Sequence, residues 1–167
     1  MAHSLELLFD DRTEDAVRRI WAELGRAGLS GRAAVGRPHV TLVASEHIDS
    51  GIDEVLTRFA RRLPLPCVVG APVLFGHTGA ILARLVVPSS ELLDFHTEVH
   101  RLCRGYLKPM PNSLPGQWTP HVTLARRVGM GRLAPAVRIA GHPGRIGGSF
   151  TGLRRWDGDN RAEYLLE

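Results

Sequence analysis

Apolar positions along this chain alternate between strand-length runs and helix-spaced faces. Leu5 to Phe9 is a short apolar run of strand length. Asp10 and Asp11 then offer helix caps, with Glu14 three positions after Asp11. Val17, Ile20, Trp21 and Leu24 follow at i, i+3, i+4 and i+7, which is one face of a helix, and Gly25 and Gly28 end it. A loop rich in Gly and Arg runs to Pro38. His39-Val40-Thr41-Leu42-Val43-Ala44 has the β-branched content of a strand. A second helix is capped by Asp49 or Ser50, carries Ile52, Val55, Leu56 and Phe59 on one face, and is stopped by Pro64. Cys67 to Phe75 and Ala80 to Val87 read as strands joined by a Gly76-His77-Thr78-Gly79 hairpin turn. Ser89 or Ser90 caps a third helix, with Leu92, Phe95, Val99 and Leu102 inward and Gly105 as its stop.

Tyr106 to Pro120 contains four prolines and reads as a loop. His121-Val122-Thr123-Leu124-Ala125 is again a strand. Leu133 to Ile139 has the spacing of a short helix, interrupted by Pro135. Phe150 to Trp156 and Ala162 to Leu166 look like a closing hairpin around Asp157-Gly158.

The strongest signal is internal repetition. Pro38-His39-Val40-Thr41-Leu42 recurs as Pro120-His121-Val122-Thr123-Leu124, with the histidines at 39 and 121. Each copy follows a strand, a capped helix and a loop rich in Gly or Pro. The chain therefore reads as two copies of one strand–helix–strand unit. Packed about a pseudo-two-fold axis, the two copies would set their histidine strands side by side.

Side chains alternate along a strand, so His39 and Thr41 share one face while Val40 and Leu42 face a core. His121 and Thr123 repeat this. A cleft between the two faces holds two imidazoles and two hydroxyls. Imidazole titrates near neutral pH, so one ring can be neutral and the other protonated. That is the state needed for one general base and one general acid across a single phosphorus. The hydroxyls donate to non-bridging phosphate oxygens and stabilise the charge that builds there. No metal is required by this chemistry.

Composition narrows the class. With 167 residues, 44% apolar and 23% charged, the chain has the make-up of one globular domain, in one lobe or two. No apolar run is long enough to span a bilayer, and the first residues lack a basic region followed by an apolar one. The expectation is therefore neither a membrane protein, nor a secreted precursor, nor a coiled coil. Cys67 and Cys103 cannot build a disulfide framework and read as buried small hydrophobes, which fits a cytoplasmic setting. The net charge is +4, and of the 21 basic residues all but Lys108 are arginine. Arginine is the better planar clamp for phosphate, although a GC-rich genome gives the same composition. The charge permits an anionic partner without requiring one.

The paired H-x-T motifs resemble those of the 2H phosphoesterase superfamily, and most closely its bacterial branch, the 2′-5′ RNA ligase-like proteins and RNA 2′,3′-cyclic phosphodiesterases. The resemblance covers the opening strand and helix, both motifs, their spacing and the basic residue after the second; the last thirty or so residues match in general character only. It implies an α+β fold over 1–167, a single bilobal domain with two pseudo-two-fold-related antiparallel sheets around a central cleft and helices outside. It implies that His39 and His121 are the acid and base, and that Thr41 and Thr123 hold phosphate. Related phosphodiesterases use the second histidine to activate water and the first to protonate the leaving oxygen, which assigns these roles to His121 and His39. The family often carries a basic residue at the position of Arg126. Strict alternation puts Arg126 on the face opposite His121, so a bulge or strand end is needed to return it. The first motif, continuing Val43-Ala44-Ser45, has no such arginine.

Lesser candidates divide between two readings each. Trp118, three residues before His121, either stacks on a nucleobase or covers the core. Arg37 either meets a phosphate or lies solvated. Glu6, in an apolar strand, either points into the polar cleft or lies on an exposed edge. His96 and His100 have the helical spacing of metal ligands, but Thr97 stands where the zincin pattern needs Glu and no third ligand is nearby. His47, His77 and His142 read as surface residues. Gly147-Gly148 lacks the following Lys-Ser or Lys-Thr of a phosphate loop and reads as a turn or bulge.

The expected activity is a metal-independent phosphodiesterase, without cofactor, that opens 2′,3′-cyclic phosphates at RNA ends or on small nucleotides. Joining such an end to a 5′-hydroxyl is the 2′-5′ ligase reaction. The alternative is a non-catalytic nucleotide or RNA binding module of the same fold; a third is an interaction protein that keeps the fold for another purpose. The expected partner is an RNA terminus or a small nucleotide with a cyclic phosphate. The chain is expected to be a monomer with no membrane association.

Overall fold

The computed structural model describes residues 2–30, 32–33 (backbone only), 36–76 and 79–167, so the His77-Thr78 turn lies outside the described residues. The strands are β1 (His3–Phe9), β2 (Arg32–Ala33), β3 (His39–Ile48), β4 (Leu65–Phe75), β5 (Ala80–Val86), β6 (Leu107–Pro109), β7 (His121–Val128), β8 (Ile146–Asp157) and β9 (Ala162–Leu165). The helices are α1 (Asp11–Arg26), α2 (Ile52–Ala60), α3 (Ser90–Leu102) and α4 (Leu133–Ala140). None of these helices is long and apolar enough to cross a membrane.

Local chemistry explains the helix ends. Asp10 caps α1, its carboxylate accepting from the Thr13 amide at 2.9 Å and the Thr13 hydroxyl at 2.8 Å. At the far end Gly28 adopts φ 64°, and the Leu29 amide donates to the Leu24 carbonyl at 2.8 Å. Only that left-handed turn lets buried Leu29 close over buried Leu24. Ser89 caps α3. Pro135 does not break α4, because it falls in the first turn, where its missing N–H has no intrahelical partner anyway.

The strands join into one antiparallel sheet in the order β2-β7-β5-β4-β8-β1-β3-β6, with β9 added to β8. The expected α+β class is present, but the expected pair of separate sheets is not: the halves are hydrogen-bonded together. The reason lies in two long strands. β4 pairs with β8 over Leu65 to Val69, then with β5 over the rest of its length. β8 pairs with β4 over Ile146 to Phe150, then with β1. Under the sequence repeat, β1, β3 and β4 correspond to β5, β7 and β8, so the order reads the same from both ends. Although four strands separate them in that order, β3 and β7 approach one another, which means the sheet curls on itself.

Two buried groups rivet this arrangement. Arg84 of β5 is fully buried, and every partner of its guanidinium is a backbone carbonyl. It binds Val69 and Gly70 of β4, Ala140 at the end of α4, and Pro143 and Gly144 just before β8. Gly148 of β8 lies against the start of α1, where the Ser149 amide donates to Asp10 at 2.6 Å. A Cβ on Gly148 would sit 1.8 Å from Thr13 Oγ1.

Gly148→Ala is therefore expected to displace the α1 cap and destabilise the protein by about 1–3 kcal/mol, measured by urea unfolding. A second expectation concerns pH. His96 of α3 is buried, and burial first, then the nearby His100, lowers its pKa from 6.5 to about 4. The unfolded chain takes up the proton that the folded chain refuses, so this contribution is complete above pH 6.5 and is lost as pH falls toward about 4. Urea midpoints should fall over that window in the wild type, and His96→Gln should flatten the decline.

Candidate active site

The two histidine strands are built alike. Val40, Leu42, Val122 and Leu124 are buried, while His39, Thr41, His121 and Thr123 are half-exposed on the other face. Both strands then break register at the same place. On β3, Thr41 pairs with Glu6 and Val43 with Leu5, leaving Leu42 as the extra residue. On β7, Thr123 pairs with Ala83 and Ala125 with Leu82, leaving Leu124 extra. Such a bulge reverses the alternation beyond it. Ala125 turns into the core, and Arg126 comes to the face of His121 and Thr123, exposed. The equivalent position on β3 is Ala44.

Side chains from elsewhere satisfy the carbonyls at these bulges. The Trp118 indole donates to the Thr41 carbonyl at 2.9 Å, and the Trp21 indole of α1 donates to the Thr123 carbonyl at 3.0 Å. His96 Nε2 donates to the Leu42 carbonyl and to the Ser113 carbonyl, each at 3.0 Å. These backbones are thus held by side-chain donors, and the hydroxyls of Thr41 and Thr123 have no hydrogen-bond partner among the described residues.

Each histidine has its tautomer set by its own loop. His39 Nδ1 lies 2.8 Å from the Arg37 carbonyl, and His121 Nδ1 lies 2.7 Å from the Thr119 carbonyl. A carbonyl only accepts, so Nδ1 carries the proton in both rings, and Nε2 is left for chemistry. The two rings lie close enough that His39 contributes to lowering the His121 pKa.

The surroundings of the two rings differ. Burial is the main cause that lowers the His121 pKa; the Thr119 carbonyl opposes it, and the Arg126 and His39 charges reinforce it. Phe75 packs on the His121 ring with centroids 4.6 Å apart. Beside His39 stand buried groups of opposite sign. Glu6 Oε1 is 3.5 Å from His39 Nε2, and Glu6 Oε2 accepts from Arg154 Nε at 2.7 Å. Arg154 Nη2 approaches His39 Nδ1 at 3.3 Å. Because that nitrogen already donates to Arg37, this is a charge contact and not a second hydrogen bond.

Glu6 therefore points toward the cleft and does not sit on an exposed edge. Arg154 and Phe75 were not legible in the sequence. A carboxylate inside an apolar strand demands a buried cation, but with twenty arginines the sequence does not say which.

The side chains of the other candidates are engaged elsewhere. Trp118 covers the core: its indole N–H is taken by Thr41, and one ring face stacks on His96 with centroids 3.8 Å apart. That face is closed to a nucleobase. Arg37 is paired with Glu14 at 3.0 Å, and not with open solvent. His96 and His100 have rings 4.5 Å apart but hold carbonyls, and no cluster fit for a metal occurs among the described residues. Cys67 and Cys103 are free and buried, and burial pushes both thiols up to about 12. His47 and His142 are exposed, and His77 lies outside the described residues.

The same architecture occurs in solved structures. TT0787 of Thermus thermophilus superposes with a TM-score of 0.62 at 13% identity, covering 100% of this chain and 96% of that one. Usb1 of Kluyveromyces marxianus, solved with uridine monophosphate, gives a TM-score of 0.55 at 14% identity, covering 99% and 97%. At such identities the likeness is one of fold. No curated protein sequence matches significantly. A sequence profile described as the 2′-5′ RNA ligase superfamily matches residues 9–160, nearly the whole length and both motifs. The chain belongs to the 2′-5′ RNA ligase superfamily.

Proposed function

We propose that this protein is a metal-independent phosphodiesterase that opens 2′,3′-cyclic phosphates at RNA ends or on small nucleotides. The observation that carries this reading is the matched pair of imidazoles. Each has Nδ1–H committed to a carbonyl, leaving Nε2 as the nitrogen for proton transfer. That a protein of similar fold was solved with uridine monophosphate supports a nucleotide ligand.

In this mechanism His121 is the base. Its lowered pKa keeps Nε2 unprotonated at neutral pH. Nε2 accepts a proton from water as the water oxygen bonds to phosphorus. The bond from phosphorus to the ribose oxygen opposite breaks, and that oxygen takes the proton from His39 Nε2. The ring opens to a phosphomonoester and a free hydroxyl, and the histidines exchange protonation states. Thr41 and Thr123 donate to the non-bridging oxygens, and Arg126 stabilises the charge that gathers there. A 5′-hydroxyl in place of water uses the same two proton transfers and gives ligation.

Hydrolysis of a 2′,3′-cyclic mononucleotide and of an RNA oligomer with a cyclic end is expected to persist in excess EDTA. His39→Ala and His121→Ala should each reduce kcat by about 10²–10⁴-fold and leave binding within severalfold. The kcat/KM profile should be bell-shaped, with its acidic limb below 6.5, the ordinary histidine value. Wild-type binding of these ligands without turnover would make the protein a binding module instead. Arg126→Gln has two expected effects. KM rises with the loss of a phosphate contact, and the acidic limb moves to higher pH, because a cation that depressed the base is gone.

A further inference from the structure

A two-fold scaffold by itself makes the two histidines equivalent, so something outside the motifs must decide which one gives the proton. The register supplies the comparison. The residue opposite Thr41 is Glu6, and the residue opposite Thr123 is Ala83. The residue returned to the cleft face by the bulge is Ala44 on β3 and Arg126 on β7. One half of the cleft therefore carries a carboxylate where the other carries a methyl group, and the other half carries a cation where the first carries a methyl group.

We propose that Glu6, held in place by Arg154 and Ser4, is a positioning residue that makes His39 the proton donor of the pair. The inference rests on the phosphodiesterase reading above and goes beyond it. Glu6 is 3% exposed, and each of its oxygens is oriented. Oε2 accepts from Arg154 Nε at 2.7 Å, and Oε1 accepts from the Ser4 hydroxyl at 2.5 Å while facing His39 Nε2 at 3.5 Å. Arg154 is in turn bonded to Glu163 of β9, so it cannot follow Glu6 freely. Among the described residues, the charged and titratable groups around His39 are Glu6 from β1, Arg154 from β8 and, across the cleft, His121 from β7. The guanidinium of Arg37 is turned away to Glu14. Glu6 is the one anion in this set, and it faces the nitrogen that must hold the proton. Substrate brings further negative charge to the same place, and the His39 Nε2 proton then passes from the side of Glu6 to the leaving oxygen.

Glu6→Gln keeps the shape and the acceptor oxygen but removes the charge. The basic limb of the kcat/KM profile, which reports the proton donor, should move to lower pH, because the anion facing His39 Nε2 is gone. At neutral pH kcat should fall several-fold while KM changes little. Ser4→Ala is the counter-test. It leaves the charge and removes the donor competing for Oε1, so the limb should move the opposite way, to higher pH. Loss of packing alone would move both variants alike or move neither limb. The NMR titration of the His39 ring without ligand is a readout independent of turnover, and it should shift to lower pH in Glu6→Gln. Wild-type turnover with both limbs and the ring titration unmoved in the variants would overturn the role of Glu6 and leave the phosphodiesterase standing. A wild type without turnover on either substrate would overturn the phosphodiesterase and this role with it.

Discussion

Each motif strand is held from behind by a tryptophan that comes from the other half of the chain. Trp21 sits on α1, ahead of the first motif, and holds the carbonyl of Thr123 in the second. Trp118 sits in the loop ahead of the second motif and holds the carbonyl of Thr41 in the first. The edge strands follow the same exchange, since β2 pairs with β7 and β6 with β3. This cross-bracing lets a strand carry a bulge at its most demanding position. A bulge frees backbone groups, and buried carbonyls left unpaired cost about 1–3 kcal/mol each. Here indole and imidazole N–H groups satisfy them, so the backbone under both threonines is fixed by these side chains as well as by the paired strands β1 and β5.

The bulge also links stability to chemistry. Without it, Arg126 would point into the core and Ala125 into the cleft. With it, a cation reaches the face of His121, where its charge and the burial of the ring both favour the neutral imidazole. His96 shows the converse use of burial. Its ring is neutral because it is enclosed, and its one free N–H is shared between the carbonyls of Leu42 and Ser113. Helical spacing with His100 suggested a ligand pair, yet the donors those rings offer are spent on backbone oxygens.

Much of this was legible beforehand because it depends on short-range pattern. The repeat, the four helices, their Asp10 and Ser89 caps and the inward faces follow from local periodicity and capping chemistry. The placement of His39 and Thr41 on one face needed only strand alternation. What remained hidden depends on pairing between distant segments. Joining into a single sheet turns on β4 and β8 bonding to each other, and no local signal distinguishes that from two lobes with separate edges. The tryptophans occupy unrelated positions in the two repeats, so aligning the repeats does not reveal that they do the same work. Arg154 stands among twenty arginines, and only its register opposite Glu6 singles it out.

A duplicated scaffold and an acid–base reaction make opposing demands. Duplication gives two equal rings, each with the same tautomer and the same supporting threonine. The proposed hydrolysis needs one ring charged and one neutral at the same moment. The symmetric features fix geometry: the carbonyl behind each Nδ1, the bulge after each threonine, the indole beneath each strand. The asymmetric features are few, and they are electrostatic. Glu6 and Arg126 stand on the cleft face in opposite halves, and each has an alanine as its counterpart in the other half. Glu6 lies 3.5 Å from His39 Nε2 in a partly desolvated cleft, where a charge acts far more strongly than in water. The shape of the site thus belongs to the repeated motif, and in the proposed reaction its direction belongs to two residues outside it.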